Sequence, residues 1–455
     1  MFFIKSLKAL ALGEPEKKSF LAFLAFIILL LLTEVLYISL HFFPRSPHLL
    51  YNKYILTSIV CFVFYFININ LLNALNSYNI RYLLIVILSF GIIFRITLTP
   101  LPPFLSDDIY RYIWDGYIQA NRINPYLYSP DSLELISFRN NSIFPFINHP
   151  NLPTIYPPLS QIIFLLAYLI GKNSFIGIKI AILIFDITTA LLLVKILHKL
   201  KLPSTKVAIY FLCPLPMLEF FISGHIDSVG IFFLALFIYS ILSTKINLAS
   251  FSLANAVLIK IMPIIFLPII LYKINKKKMV LFLATFIITL LLFYLPYLFN
   301  INEKVFGSFN TFIKDFYFNS SVFSLIHTLT GTNKIAAISC YVALGVWIVI
   351  VTFKCDDFIV GIFWTLTGLY IFSPIVHPWY LTWIVPLLVF IPSKAFFWLI
   401  MACQISYYVL INYQEKNLWQ DSAAIRLIEY VPFFALLSYD LLRLQTKKLL
   451  GIETL

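Results

Sequence analysis

Residues 106–126 read SDDIYRYIWDGYIQANRINPY and hold three acids, two arginines and four tyrosines, in a chain of 455 residues that is 61% hydrophobic and only 12% charged. The adjacent carboxylates, Asp107 and Asp108, could do proton chemistry. A carboxyl group against a low-dielectric wall has its pKa raised and can serve as a general base. A single acid at a membrane edge reads as a solvated residue. Two of them, followed by Tyr110-Arg111-Tyr112 and Trp114-Asp115, ask for more, because interfacial belts account for Tyr and Trp but not for acids. Arg111 has two readings of equal standing: an ion pair with Asp107, Asp108 or Asp115, or a fork for phosphate oxygens.

Other polar residues recur far apart. Tyr156-Pro157-Pro158-Leu159 opens a short apolar run, where proline is ordinary helix-start punctuation. His225 and Asp227 lie two apart. With Asp107 and Asp108 they supply just enough ligands for a divalent metal, at a spacing that is not diagnostic, so substrate contact or proton relay is the preferred role. Lys260 sits in an apolar run, where charge is costly and points to function, unless it snorkels to the headgroups. His377-Pro378-Trp379-Tyr380 either anchors a span or offers ring faces to the C–H face of a sugar.

The elements that must position these residues are membrane helices. A mean hydropathy of +0.92 and repeated apolar runs of roughly 17–22 residues mark an all-α polytopic membrane protein. The short alternating segments of a β-barrel are absent. Phe20–Phe43 is too long for a signal peptide and reads as a retained helix. Further spans are expected at Tyr54–Leu75, Tyr82–Leu98, Phe175–Val194, Val207–Ile222, Val229–Leu242, Leu248–Tyr272 (broken at Pro263), Met279–Phe299, Ile335–Phe353, Phe358–Phe372, Tyr380–Ile391, Ala395–Ile411 and Ala424–Leu442. That makes roughly 13 to 14 membrane helices in one transmembrane domain, 1–455. Leu159–Ile170 is too short to cross and is expected to lie at the interface.

The net charge of +13 does not signal nucleic acid, since the basic residues gather in short loops, the positive-inside pattern. Lys5, Lys8, Lys17 and Lys18, the cluster Lys195, Lys199, Lys201 and Lys206, the cluster Lys273, Lys276, Lys277 and Lys278, and Arg443, Lys447 and Lys448 all place their ends in the cytoplasm. Arg45 and Lys53 run against this scheme. It puts an external loop at 99–174, carrying the acids and interfacial helices, and a second at 300–334. It also puts Gly224-His225-Ile226-Asp227, the Lys260 break and His377–Tyr380 on the same outer face. The five cysteines show no CxxC spacing and read as packing.

The run from Asp108 to Gly116, with Asn124-Pro125-Tyr126 after it, resembles the motif of the bacterial and archaeal polyprenyl-phosphate-sugar-dependent glycosyltransferases of the GT-C superfamily, mannosyltransferase-like integral membrane enzymes. Five further pieces follow in that family's order: Tyr156-Pro157-Pro158-Leu159, Gly224-His225-Ile226-Asp227, Lys260 with Pro263, Phe318-Asn319-Ser320-Ser321-Val322-Phe323, and His377-Pro378-Trp379-Tyr380. The resemblance spans about residues 95–390 and implies a GT-C multi-helix bundle. It implies Asp108 as the base on an acceptor hydroxyl, with Asp107 less certain. Arg111 and Lys260 would stabilise a leaving phosphate. Tyr110, Tyr112, Trp114, Asp115, Tyr156, Asp227 and Asn319 would help bind substrate, and His225, His377, Trp379 and Tyr380 would lie against carbohydrate.

The expected partners are therefore a polyprenyl-phosphate-linked sugar donor, a lipid or glycan acceptor, and the bilayer, with no nucleic acid. The expected reaction is an inverting hexosyl transfer, most readily of mannose, on the outer face of the plasma (inner) membrane, with both termini cytoplasmic. No cofactor is expected, a divalent metal being a minor possibility. With only 13 glycines in the chain and no Gly-rich phosphate loop, nucleotide binding is disfavoured. Two rivals remain: a polymerase or ligase of lipid-linked oligosaccharide, and a transporter or flippase of lipid-linked saccharide, although transporters usually repeat their halves and place charge at the midplane.

Overall fold

The computed structural model describes residues 14–44, 46–75, 78–298 and 316–449. Lys5, Lys8, Arg45, Phe299 and residues 300–315 of the second external loop lie outside them. So do the side chains of Arg443, Lys447 and Lys448. Among the described residues the regular structure is helical, apart from one isolated parallel bridge between Phe318 and Ile375.

Seven helices are long and apolar enough to cross a bilayer: Lys17–Ser39, Pro47–Ala74, Ile80–Leu98, Ile176–Lys199, Lys276–Tyr297, Asn333–Lys354 and Lys394–Lys416. A helix closes its backbone hydrogen bonds within itself, so only its side chains must suit lipid. They do: Lys276–Tyr297 exposes Ile287, Ile288, Leu291 and Leu292, a face that water would not tolerate and acyl chains accept. The pair Ser204–Phe211 and Pro214–Ser223, bent by 50°, makes an eighth crossing if it counts as one span. Five shorter apolar helices complete the bundle: Pro158–Gly171, Asp227–Leu242, Ile246–Ile259, Met262–Lys273 and Phe358–Phe372.

The expected spans therefore divide into crossing helices and shorter ones. Val207–Ile222 is the bent pair, broken where Pro214 has no N–H to continue the ladder. Leu248–Tyr272 breaks at Lys260, whose backbone is extended, one turn earlier than Pro263. Ala424–Leu442 lies in the 27-residue helix Ala423–Leu449, which carries Arg426, Glu429 and Asp440. Tyr380–Ile391 forms no span. It is a 3-10 turn, Pro378–Trp383, buried except at Trp379 and Tyr380, and a single buried helical turn, Val385–Leu388. Two prolines and a run of about twelve residues, some 18 Å of helix, cannot cross a core of about 30 Å. Lys53, against the charge pattern, has a local reason: its ammonium donates to the carbonyls of Ser39 and Phe42, at 2.8 Å for the latter, closing the end of the first helix.

The centre of the bundle is residues 207–231, every one of them buried. Beside it a polar cluster sits between helices. Arg95 donates to Asp186 and to the carbonyls of Gly91 and Phe211, both at 2.8 Å, with its guanidinium 3.7 Å over the Phe211 ring; Tyr210 donates to Asp186. All three side chains are buried, so removing one partner strands a charge. Arg95→Leu is expected to lower the melting temperature of the detergent-purified protein by an amount corresponding to about 3–5 kcal/mol. Arg95→Leu combined with Asp186→Leu should recover most of it. A single variant melting like wild type would show that the pair contributes nothing.

Candidate active site

Asp107 stands at the N-cap position of the helix Asp108–Ala120, without a side-chain capping bond, and Asp108 opens the helix, where unsatisfied N–H groups favour negative charge. The Ser106 hydroxyl accepts from the Asp108 N–H at 3.3 Å. The helix is clamped onto Pro158–Gly171. At Gly116 a Cβ would come 2.3 Å from the Phe164 carbonyl oxygen, so the small residue after Asp115 is a packing requirement. Tyr112 stacks on Phe164 at 4.5 Å and meets the edge of Tyr156 at 4.9 Å. Trp114 packs against Phe144 and Tyr117. Tyr110 stacks on Phe146 at 5.1 Å.

Arg111 settles on the first of its two readings in this state. Its Nε donates to Asp115 at 2.9 Å, and Gln161 donates to the other oxygen of the same carboxylate at 3.0 Å. Arg111 and Asp115 are both buried. They stiffen the helix that carries the acids.

One amide organises the two acids. Asn148 Nδ2 donates to Asp107 at 2.9 Å and to Asp108 at 2.6 Å. Burial pushes the Asp108 carboxyl up to about 6, and the neighbouring charge of Asp107 pushes the same way, while Asn148 opposes both. Asp107, though its side chain is exposed, is raised in the same direction by desolvation, with Asn148 opposing. The Asp108 side chain keeps 22% exposure, so this carboxylate is recessed yet reachable.

His225 comes next. Gly224, at φ +81°, ends a π-turn over Glu219–Ser223 and delivers the imidazole. Nδ1 stands 3.7 Å from Asp108 and Nε2 stands 3.8 Å from Glu219, both beyond hydrogen-bond reach, and neither nitrogen has a hydrogen-bond partner among the described residues. The ring stacks on Trp379 at 4.0 Å, Trp379 on His377 at 4.1 Å, and His377 on Phe318 at 4.7 Å. Burial, with the charge of Lys260 added, holds both imidazoles neutral, His377 down to about 3. They act here as ring faces and poor proton carriers.

Lys260 reaches in from the break between its two helices. Its ammonium donates to both Asp227 oxygens, at 2.7 and 2.8 Å, and lies 4.8 Å from the Tyr380 ring centroid. Trp383 Nε1 donates to the same carboxylate at 2.7 Å. Asp227 is fully buried, whereas the Lys260 side chain keeps 21% exposure. The aspartate anchors the ammonium, which stays partly exposed. His225 and Asp227 thus turn to different partners, and among the described residues no three His, Cys, Asp or Glu side chains converge as a metal ligand set.

Two expected residues find partners outside the acid, lysine and ring cluster: Trp114, already described, and Asn319. At φ +47°, the Asn319 side chain donates to Glu429 at 2.7 Å, its N–H donates to Asp421 at 3.1 Å, and its carbonyl accepts from Tyr430 at 2.8 Å. It shapes the turn that presents Phe318 to His377. Asn148, Gln161, Glu219 and Trp383 were not anticipated. The cost of charge in an apolar run, which singled out Lys260, applies equally to Glu219. Asn148 and Gln161 carry no such signal.

A recessed acid, a cation and a row of ring faces meet at one edge of a membrane bundle, an arrangement suited to passing a sugar from one oxygen to another. A family profile described as the N-terminal domain of α-(1→6)-mannopyranosyltransferase, of the MptA/MptB type, matches residues 59–275, and the MptB C-terminal domain matches residues 322–437. The chain belongs to this family: it is a membrane mannosyltransferase of the GT-C-like kind, acting between a sugar donor and a glycan acceptor. No individually curated protein matches it.

Proposed function

We propose that the protein transfers mannose from a polyprenyl-phosphate carrier to a hydroxyl of a lipid-linked or cell-surface glycan, with inversion, on the outer face of the plasma membrane. Asp108 is the base. As the acceptor oxygen bonds to the anomeric carbon, its proton passes to Asp108. The bond from that carbon to the phosphate oxygen breaks, and the phosphate leaves with the electron pair. Lys260 stabilises the charge that builds on the departing oxygen. The observation that carries this reading is the Asp108 carboxyl, raised to about 6 yet kept accessible, within electrostatic reach of Lys260.

The helix ends support the sidedness. Tyr297, which closes Lys276–Tyr297, donates its hydroxyl to Gln119 at 3.0 Å, so the Lys276–Lys278 end points away from the acids. Asn141 donates to Asn173 at 3.2 Å, just before Ile176–Lys199 begins, so that helix too carries its basic end away from the site. A positive-inside membrane protein then turns the acids outward, where nucleotide sugars are absent and a lipid carrier is the available donor.

The test is transfer itself. Purified protein with radiolabelled polyprenyl-phosphate-mannose and a membrane glycolipid extract should yield labelled product and free polyprenyl phosphate. Transfer from a nucleotide-linked mannose instead would refute the lipid donor. The base must be ionised, so kcat/KM should fall as pH drops through about 6. Asn148→Ala removes a donor that favours the ionised form. Its acid limb should move to higher pH, by up to about one unit for a lost interaction of about 1.4 kcal/mol. A limb that stays in place would remove Asn148 from control of the acids.

A further inference from the structure

The ring stack runs from the acids to a cavity that the reaction leaves unused. Between the Phe318-Asn319 turn and the link from Lys394–Lys416 to Ala423–Leu449 lies a space of about 370 Å³, lined by Asn412, Gln420, Asp421 and Ser422 and bordered by Phe318 and Tyr408. Ligand pockets commonly measure roughly 300–1,000 Å³. Its lining is mostly amide, hydroxyl and carboxylate, with ring and aliphatic carbon from Phe318, Tyr408, Val409, Ala423 and Ile425, and among the described residues it includes no lysine, arginine or histidine. A phosphate would meet Asp421, whose partner Arg426 is already engaged with it at 2.6 Å, and an acyl tail would meet amides and hydroxyls. A neutral polyol suits both, since amides and carboxylates pair with neighbouring hydroxyls and rings pack on sugar C–H faces.

The cavity is also built. Asn319 sits in a left-handed backbone conformation held by Glu429, Asp421 and Tyr430, and Asp421 pairs with Arg426 at 2.6 Å. The cost of such a conformation persists only where the surroundings enforce it. Phe318 faces the cavity on one side and stacks on His377 on the other. From there, ring steps of 4.7, 4.1 and 4.0 Å lead to His225 beside Asp108.

We infer that this cavity is an acceptor subsite, holding a sugar unit of the growing glycan remote from the hydroxyl that reacts. The identity of the glycan rests on the mannosyl-transfer reading; the class of ligand, a neutral saccharide, rests on the cavity. The enzyme then measures its acceptor. A chain long enough to reach the cavity binds more tightly than one that fills only the catalytic end.

The test is binding to the full-length protein in detergent without donor, using α-(1→6)-linked mannotetraose and methyl α-mannoside as probes. Wild type is expected to bind the tetraose at least tenfold more tightly. Ser422→Trp, which fills the cavity, should erase that preference. So should Asn412→Ala with Gln420→Ala, which empties the wall without adding bulk; melting temperatures identify any variant that fails to fold. Equal binding of both probes by wild type, or a tetraose preference that survives in both folded variants, would overturn the subsite. The two readings fail separately. If wild type favours the tetraose but moves no mannose from polyprenyl phosphate, the donor assignment falls and the subsite stands. If transfer proceeds and the variants select acceptors as wild type does, the subsite alone falls.

Discussion

Asp108→Asn is expected to lower kcat by about 10²–10⁴, the usual contribution of a positioned base, while the melting temperature stays within a few degrees of wild type. The substitution is nearly isosteric, and Asn148 can still find the remaining carbonyl oxygen of the amide. An amide cannot take the acceptor's proton, so the loss should fall on kcat and leave donor affinity close to wild type. Asp107→Asn separates the two acids. It removes a negative charge that raises Asp108, so the acid limb should shift to lower pH with turnover retained. The opposite pattern, with Asp107→Asn dead and Asp108→Asn active, would exchange their roles. A collapse of melting temperature in Asp108→Asn would make the residue structural.

Lys260→Met carries the second large effect. If the ammonium stabilises the departing phosphate, its loss should lower kcat/KM for the lipid donor by about 10²–10³, and Lys260→Arg should restore part of it. The geometry also warns of a confounding loss. Asp227 is fully buried and takes hydrogen bonds from Lys260 and Trp383, so removing the lysine leaves a buried carboxylate short of a partner. The double variant Lys260→Met with Asp227→Asn resolves this. Its melting temperature should recover because the stranded charge is gone, and its turnover should stay low. Recovery of both would reduce Lys260 to a structural counter-ion.

The sequence was legible where physics leaves little choice. Apolar runs predicted helix bounds closely: Phe358–Phe372 and the end of Ile80–Leu98 fall where expected, although the first is too short to count among the crossing helices. Charge in an apolar run found Lys260. The argument failed where it was applied unevenly. Length had ruled out a crossing at Leu159–Ile170, and the same length should have ruled one out at Tyr380–Ile391, where a buried turn instead brings Trp383 onto Asp227. Arg111 could not be assigned, because a guanidinium suits phosphate and carboxylate alike; the i,i+4 spacing made Asp115 a candidate, and only the fold puts Gln161 on the same carboxylate. Asn148 was invisible for a simpler reason: its partners lie 40 and 41 residues earlier, and nothing local to an Asn-His-Pro loop announces them.

The row of stacked rings has a meaning for how such an enzyme can change over time. His225 comes from the stretch matched as the N-terminal domain, and Trp379 and His377 from the stretch matched as the C-terminal one. Asp227 and Trp383 repeat that division. Neither half owns a finished site, so the two must be inherited together. A half exchanged with a relative would supply only its own side of the seam, and the site would be complete only where the packing of the two sides still matched.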